Sequence, residues 1–294
     1  MKAVEITGEK EVRLVDRPDP KPKGEQVLVK IIIAPMCTEY KAYKNGWKTD
    51  CLGHEAAGEV TAIDQQGTVK PGDRVVVMPQ YPCGKCPLCL KGDYIHCQNI
   101  LNVNEITGNT YCTATYTQYT VKNDWLLVPI PADMSYEHAS MACCGLGPTF
   151  GAMQIMQVDA FDTVLIAGAG PVGLGGVING VSRGARVITI EPHPYRVKLA
   201  KELGAVAVID PNNPDALKQI MDLTGGVGVD KSIDCAGIPS VQRLLIDATR
   251  RKGHMSFIAE AGELTVHVAN VVSLTVLYIW AVIARSVNDE AILT

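Results

Sequence analysis

Four cysteines lie close together in the first half of the chain, in the pattern C-x2-C-x2-C-x7-C. They are Cys83, Cys86, Cys89 and Cys97. Four thiolates at this spacing can surround one Zn²⁺ tetrahedrally. Because four protein ligands leave no position for a substrate, the motif predicts a structural zinc that braces a loop with little apolar content. An iron–sulfur cluster, which uses the same ligands, and a group of free thiols are the alternatives.

A second candidate metal site is dispersed along the chain. Its members would be Cys37, His54 and Cys144. Two thiolates and one imidazole leave a fourth zinc position open for water or substrate, which is the arrangement of catalytic zinc. Spacing alone does not distinguish this site from ordinary packed cysteines and a packed histidine, so core packing is the alternative.

A glycine-rich turn stands in the middle of the chain. The apolar run Val164–Ala167 is typical of a strand buried on both faces, and Gly168-x-Gly170-x-x-Gly173 follows it directly. A helix-like segment and a second apolar run come next, and that run ends at Glu191. A strand, these glycines, a helix and a terminal acid in this order predict a dinucleotide-binding turn. The alternative is an ordinary βαβ turn that binds nothing.

Each glycine of this turn has an expected function. Gly168 permits the tight turn, Gly170 lets the backbone approach a pyrophosphate, and Gly173 lets the helix pack closely on the strand. The start of the helix, with Pro171 and Val172, offers unpaired N–H groups and a partial positive charge to the phosphates.

Two side chains beyond the turn complete the predicted coenzyme site. Glu191 would accept hydrogen bonds from the ribose hydroxyls and would repel a 2′-phosphate, so NAD is favoured over NADP. Arg196 could lie over the adenine ring, although a solvated charge at a helix start is an equal alternative.

Length and composition limit the possible functions. With 294 residues the chain can bury a sizeable core, as two domains. A formal charge of -4 and a pI near 5.9 give no general electrostatic reason to bind nucleic acid or acidic membranes. The charged N-terminal segment does not resemble a signal peptide, and Val268–Ala284 is interpreted as buried strand rather than a membrane span. Ten cysteines without a secretory signal then indicate metal ligands and thiols in a cytoplasmic protein.

The first half is predicted to be rich in short strands. Val27–Ile33, Gly58–Ile63 and Arg74–Met78 are apolar or alternating runs, and Lys70–Asp73 reads as a tight turn between two of them. Closely spaced strands without a long helical period predict a small barrel or sandwich.

The second half alternates between helical and extended patterns. Helices are expected at 152–158, 197–204, 216–223 and 241–249, and strands at 206–209, 229–233 and 254–259. Alternating βα units of this length predict a parallel sheet with helices on both faces.

The order of these motifs resembles the zinc-dependent alcohol dehydrogenase branch of the medium-chain dehydrogenase/reductase family, over roughly residues 1–265. The resemblance implies an α/β chain with a chaperonin-10-like β-barrel catalytic domain, a Rossmann doubly wound parallel-sheet coenzyme domain and an active-site cleft between them. We expect the catalytic domain at 1–150, with 286–294 as a candidate to return to it, and the coenzyme domain at 151–285.

The resemblance also implies residue roles. Cys37, His54 and Cys144 become the catalytic-zinc ligands, and Glu55 becomes a supporting or transiently ligating carboxylate. Cys144 is preferred over its neighbour Cys143 because family members place a glycine seven residues after this ligand, where Gly151 stands. The four clustered cysteines match the structural-zinc lobe of the family.

The chain departs from the family pattern in two places. After Cys37 the usual x-Ser/Thr-Asp and later histidine are missing, so Thr38 is the expected relay hydroxyl and Glu39 the orienting carboxylate. A simple turn residue is the alternative for Thr38. Family members usually extend beyond Thr294, so a truncated or altered product, with activity in doubt, is one interpretation of the C-terminal segment.

The expected function is hydride transfer between an alcohol (a secondary alcohol, polyol or sugar) and NAD, with two zinc ions per chain. Zinc would lower the pKa of the hydroxyl, and Thr38 would pass the proton outward. The resemblance also implies a homo-oligomer, either a dimer or a tetramer. A zinc-free enone reductase on the same fold and a non-catalytic zinc-stapled coenzyme-binding scaffold are the alternatives.

Overall fold

The structure is a computed structural model that describes residues 1–37, 39–102, 114–259 and 262–265, together with the backbone of 275–277. The chain divides into two compact units, Met1–Cys144 and Gly145–Thr294. This division lies close to the predicted boundary at residue 150. The predicted return of 286–294 to the first unit falls outside the described residues, so the full domain bounds stay a prediction.

The first unit is built on antiparallel strands. A hairpin pairs β1 with β2, and a separate five-stranded sheet has the order β6-β3-β4-β5-β7. The strands are β1 (Lys2–Gly8), β2 (Glu11–Asp16), β3 (Gln26–Ile33), β4 (Ala56–Ile63), β5 (Arg74–Val77), β6 (Tyr119–Asn123) and β7 (Leu127–Pro129). Within the described part of this unit, the α-helices are α1 (Glu39–Asn45) and α2 (Tyr136–Ser140).

Alternation of side chains explains the core of this sheet. Val27 and Val29 of β3 and Val75 and Val77 of β5 are buried in one apolar cluster, as period-two strands with one covered face require. The prediction of closely spaced β-strands in this half is therefore confirmed.

The second unit is a parallel six-stranded sheet with the order β10-β9-β8-β11-β12-β13. Its strands are β8 (Thr163–Ala167), β9 (Arg186–Ile190), β10 (Ala207–Ile209), β11 (Val229–Asp234), β12 (Thr249–Phe257) and β13 (Thr275–Leu277). Its helices are α3 (Gly147–Ile155), α4 (Pro171–Ser182), α5 (Pro194–Glu202), α6 (Ala216–Leu223) and α7 (Pro239–Ala248). The strand order reverses between β8 and β11, which marks the nucleotide-binding edge of a doubly wound sheet.

Both faces of this sheet are covered, as predicted for Val164–Ala167. Val164 and Ile166 belong to one buried cluster, and Leu165 and Ala167 belong to the other. Successive residues of a strand point to opposite faces, so an uninterrupted apolar run is what a two-sided core needs.

Several element bounds differ from the sequence predictions for an identifiable reason. Helix α5 begins at Pro194 rather than Val197, and α7 begins at Pro239 rather than Val241. Proline suits the first turn of a helix because the N–H that it lacks would have no intrahelical partner there. Helix α3 likewise starts at Gly147, with Pro148 in its first turn, instead of at Ala152.

Strand β12 also starts earlier than predicted, at Thr249 instead of His254. Of the apolar segment Val268–Ala284 only Thr275–Leu277 is described, and these residues pair with β12 in parallel. Among the residues that the structure describes, no helix is long and apolar enough to cross a membrane.

Asp230 ties together the N-terminal ends of three neighbouring strands. Its Oδ2 accepts a hydrogen bond from the Thr163 N–H at 2.7 Å, and its Oδ1 accepts one from Arg250 Nε at 2.6 Å. Burial alone would raise the pKa of this carboxyl group, but these two donors outweigh burial and hold the pKa below its usual value.

We expect Asp230→Asn to lower the free energy of unfolding at neutral pH by about 1 kcal/mol, since the ion pair is partly solvated. A carboxyl pKa depressed by folding stabilises the native state above its unfolded-state value, and this contribution is lost as pH falls through the folded-state value. The difference between wild type and variant should therefore shrink in acid. Urea unfolding over a pH series measures it, with the exposed Asp133→Asn as control; a difference independent of pH would contradict the prediction.

Candidate metal and coenzyme sites

The four clustered cysteines converge in the loop that follows β5. The Sγ atoms of Cys83, Cys86, Cys89 and Cys97 all lie within 4.8 Å of one another. The Cys86–Cys89 separation is 3.4 Å, and the Cys83–Cys89 and Cys86–Cys97 separations are 4.0 Å. Tetrahedral zinc with Zn–S bonds of about 2.3 Å places its sulfurs about 3.8 Å apart, so these residues fit a four-thiolate zinc site.

Two short 3-10 turns, Cys89–Lys91 and Tyr94–His96, fold this loop on itself. The Cys89 backbone N–H lowers the pKa of Cys86 to about 6, while burial raises the pKa of Cys89 to about 12. The surroundings alone therefore favour ionisation of only part of the set. A divalent cation would supply the positive charge that holds all four sulfurs as thiolates.

The dispersed residues also come together, within the first unit. One ligand atom from each of Cys37, His54, Glu55 and Cys144 lies within 4.8 Å of all the others. The Sγ atoms of Cys37 and Cys144 are 3.4 Å apart. Soft thiolates and an imidazole are ligands that zinc prefers, and the carboxylate is an oxygen ligand that zinc also accepts.

Three of these residues lie at or beside the ends of elements, and the fourth lies within a short π-helical turn. Cys37 lies just before α1, His54 and Glu55 directly precede β4, and Cys144 sits in a π-helical turn at Ala142–Leu146. Residues at element ends are free of the repeating hydrogen bonds of helix and strand interiors. Their side chains can therefore converge on one point, and π-helical turns are frequent at functional sites.

Glu39 orients two members of the cluster. This buried carboxylate accepts a hydrogen bond from the Cys37 N–H at 2.9 Å, and its Oε1 lies 2.6 Å from His54 Nδ1. Because Nδ1 is engaged, Nε2 is the nitrogen that His54 can offer to a metal. The structure thus places Glu39 against both Cys37 and His54, and its orienting function stays a prediction.

Glu55 holds Cys144 in the cluster, whereas the neighbouring Cys143 points away from it. Glu55 Oε2 accepts a hydrogen bond from the Cys144 N–H at 2.9 Å, and its Oε1 lies 3.7 Å from His54 Nε2. The adjacent Cys143 points elsewhere, with its Sγ 3.8 Å from the Val77 carbonyl oxygen. The structure thus places Cys144 in the cluster and Cys143 outside it.

The electrostatics of this cluster favour a bound cation. The hydrogen bond with Cys144 lowers the pKa of Cys37 to about 5, whereas the same contact raises the pKa of Cys144. Burial opposes a charge on His54, but its hydrogen bonds to Cys37 and Glu39 outweigh burial and raise its pKa to about 10. Burial raises the pKa of Glu55 to about 7. Positive charge is therefore attracted to this position, and zinc would replace the proton on the imidazole.

The glycine-rich turn has the geometry of a coenzyme cradle. Gly168 has φ +85°, in the left-handed region, and a Cβ on Gly173 would lie 1.7 Å from the Gly168 carbonyl oxygen. A Cβ on Gly170 would meet no described atom within 4 Å, so open space lies beside the start of α4. That helix begins at Pro171, which has no N–H, and the N–H groups of the following residues in its first turn, from Val172 on, lack intrahelical partners.

Glu191 makes two backbone contacts that the sequence did not reveal. It is buried, and its Oε2 accepts a hydrogen bond from the Ala169 N–H at 2.8 Å while its Oε1 accepts one from the His193 N–H at 2.9 Å. The carboxylate therefore holds the glycine turn in place, and each oxygen keeps a lone pair for a ribose hydroxyl. Arg196 forms an ion pair with Glu191, with 3.8 Å between Arg196 Nη1 and Glu191 Oε2. Neither interpretation from the sequence, adenine stacking or a solvated charge, included this contact.

Thr38, the expected relay hydroxyl, lies outside the described residues, and its function stays a prediction.

The sequence analysis did not identify Gly175 as a packing residue. A Cβ there would lie 2.0 Å from the Gly145 carbonyl oxygen, so this glycine lets α4 approach the turn that follows Cys144. An additional glycine inside a predicted helix was the available signal, since glycine in a helix interior usually has a packing reason.

Comparison with known proteins identifies the family. Residues 23–132 match the model of the alcohol dehydrogenase GroES-like domain, and residues 171–290 match that of the zinc-binding dehydrogenase. L-threonine 3-dehydrogenase of Pyrococcus horikoshii is 32% identical over 286 residues, covering 92% of this chain and 79% of the relative. Sorbitol dehydrogenase of Bacillus subtilis is 30% identical, covering 88% and 74%.

A solved structure of an NAD-dependent alcohol dehydrogenase superposes with a TM-score of 0.82 at 26% identity, covering 95% of this chain and 84% of the other. The chain belongs to the zinc-dependent alcohol dehydrogenase branch of the medium-chain dehydrogenase/reductase family. It is an oxidoreductase of alcohols or polyols that uses zinc and NAD. The comparisons give no support for the enone reductase or for the non-catalytic scaffold.

We expect Glu39→Gln to weaken zinc binding at the dispersed cluster by about 10- to 100-fold, as loss of a carboxylate behind a ligand does elsewhere. The glutamine side chain has a single acceptor oxygen, so it cannot accept hydrogen bonds from both the Cys37 N–H and the His54 Nδ1–H as the two carboxylate oxygens do. Zinc content per chain after dialysis against graded chelator measures the effect. Glu137→Gln, the same change in the first turn of α2, is the control. Equal zinc retention in the two variants would contradict the prediction.

Proposed function

We propose that this protein oxidises a secondary alcohol on a small polar molecule, with Cys37, His54 and Cys144 holding the catalytic zinc. The observation that carries the proposal is the convergence of these side chains and Glu55 within 4.8 Å. Three nitrogen and sulfur ligands leave a tetrahedral position for the substrate oxygen. Cys83, Cys86, Cys89 and Cys97 hold the second, structural zinc in this proposal.

Zinc bound at the dispersed cluster supplies a Lewis acid that lowers the pKa of an alcohol hydroxyl. The protein supplies the geometry. Glu39 keeps His54 Nε2 directed into the cluster, and Glu55 Oε2 keeps the Cys144 turn in place. Glu55 Oε1, 3.7 Å from His54 Nε2, is the oxygen available for transient ligation. Thr38 is proposed to carry the released proton outward.

NAD supplies the hydride acceptor. The open space beside Gly170 and the N-terminus of α4 receive the pyrophosphate in this proposal. Glu191 accepts the ribose hydroxyls through its remaining lone pairs, and its negative charge disfavours a 2′-phosphate. Arg196 forms an ion pair with Glu191 beside the proposed ribose site, and its place over the adenine ring stays a prediction.

The names of the relatives narrow the substrate class. L-threonine 3-dehydrogenase and sorbitol dehydrogenase are named for an amino acid with a secondary hydroxyl group and for a polyol. We therefore propose a polar secondary alcohol, a polyol or a sugar as the substrate. A homo-oligomer, either a dimer or a tetramer, rests on the family resemblance, and a cytoplasmic location rests on the abundance of cysteines proposed as zinc ligands.

We expect the wild-type protein to contain two zinc ions per chain and to reduce NAD with at least one member of a panel that includes L-threonine, sorbitol and simple secondary alcohols. Cys144→Ser should lose one zinc ion and nearly all turnover while it keeps NADH binding, because only the catalytic cluster is damaged. Cys143→Ser, the same change at the neighbouring position, should keep both ions and turnover. Metal analysis, NADH fluorescence titration and the alcohol panel measure these outcomes. Loss of zinc from Cys143→Ser instead would refute the ligand assignment.

We expect Glu191→Gln to raise the preference for NADP relative to NAD, measured as the ratio of kcat/KM values, by about tenfold, or ~1.4 kcal/mol. The amide removes the charge that repels a 2′-phosphate and keeps one acceptor for the backbone. Steady-state kinetics with both coenzymes provide the measurement, and the exposed Glu202→Gln on α5 is the control. An unchanged ratio in Glu191→Gln would show that this carboxylate does not select the coenzyme.

A further inference from the structure

Tyr116 lies against the segment that leads to His54. The Tyr116 N–H donates to the Leu52 carbonyl oxygen at 3.0 Å, and the Thr115 N–H donates to the Gly53 carbonyl oxygen at 3.3 Å. Gly53 has φ +91°, and a Cβ there would lie 2.6 Å from Tyr116 Cδ1. Tyr116 therefore holds Leu52 through its backbone N–H and packs its ring beside Gly53, the residue immediately before His54.

The hydroxyl of the same side chain reaches the other ligand-bearing segment. Tyr116 Oη donates a hydrogen bond to the Pro35 carbonyl oxygen at 3.0 Å, two residues before Cys37. Burial, and then the negative charges of Glu39, Glu55 and Cys37, raise the pKa of Tyr116. The hydroxyl thus stays protonated and remains a donor.

The segment around Cys37 needs such an attachment. Helix α1, which follows it, has only 7 residues, and helices this short have little stability of their own. Glu39 holds Cys37 through its backbone N–H, and Tyr116 holds the preceding Pro35 through its carbonyl. The two contacts are independent, since they use different side chains and different peptide groups.

We propose that Tyr116 is a positioning residue for the catalytic zinc, because its hydroxyl holds the segment of Cys37 while its backbone N–H and ring hold the segment of His54. The inference rests on the proposed function, in which these two residues are zinc ligands. Tyr116 touches neither the metal nor the substrate in this proposal. Its hydroxyl limits the movement of Cys37 Sγ away from the cluster, and so slows the release of zinc.

Tyr116→Phe tests the proposal, because it removes the hydroxyl and keeps the ring that packs on Gly53. Tyr81→Phe is the matched control. Tyr81 Oη also donates to a backbone carbonyl oxygen in the first unit, that of Val121, at 2.9 Å. The two variants therefore lose the same kind of hydrogen bond, but only Tyr116→Phe loses a bond to the segment of Cys37.

Zinc release from the holoenzyme into a chromophoric chelator is the main measurement. The phase that is missing in Cys144→Ser identifies the catalytic zinc. We expect this phase to be about tenfold faster in Tyr116→Phe and unchanged in Tyr81→Phe, in the range seen when groups that orient ligands are removed. Tyr116→Phe should also lower kcat and leave the KM for NAD unchanged, a separation that general loosening of the fold would not produce.

The opposite outcomes are distinct. A catalytic-zinc phase with the same rate in Tyr116→Phe as in wild type would overturn the inference alone, as would an equal acceleration in Tyr81→Phe. A wild-type protein without a phase that depends on Cys144 would overturn both the inference and the proposed zinc ligands.

Discussion

Repulsion between closely spaced cysteine thiolates is the constraint on which both candidate zinc sites depend. The Sγ atoms of Cys37 and Cys144 are 3.4 Å apart in partly buried surroundings, and those of Cys86 and Cys89 have the same separation. Two thiolates at this distance repel strongly where water is scarce, so one of each pair tends to keep its proton. Within each pair the pKa values move apart. The hydrogen bond between Cys37 and Cys144 lowers the pKa of the first and raises that of the second, while the Cys89 N–H lowers the pKa of Cys86 and burial raises that of Cys89. A divalent cation removes the conflict, which makes metal binding a stabilising contribution to the surrounding fold.

Buried carboxylates position the functional turns in both units. Glu39 accepts the Cys37 N–H, Glu55 accepts the Cys144 N–H, and Glu191 accepts the Ala169 N–H. In each case a charge-assisted hydrogen bond fixes the backbone of a turn. A carboxylate also has lone pairs to spare, so it can orient the peptide group and still face a histidine, a metal or a ribose. This double use explains why a protein with a modest net charge buries these acids.

The geometry of the glycine turn was predictable residue by residue because it depends on local backbone conformation. Gly168 needs a left-handed φ, and Gly173 must have no Cβ beside the Gly168 carbonyl. Helix starts were less predictable. The spacing of apolar residues indicated where α5 and α7 bury side chains. Pro194 and Pro239 begin these helices but are not part of that apolar pattern, so the pattern placed both helix starts too late.

The sequence by itself determined the four-cysteine lobe, the coenzyme turn and the alternation of elements that builds a parallel sheet, because each depends on residues close together in the chain. For Cys37, His54 and Cys144 spacing alone left core packing open and only the family resemblance grouped them, so it was the tertiary structure that brought them to one point and gave Cys143 a different side-chain direction. It also showed that Tyr116 joins two ligand-bearing segments and that Glu191 holds the turn beside it. Contacts between residues distant in the chain depend on how strands and turns pack, and no local spacing records that packing.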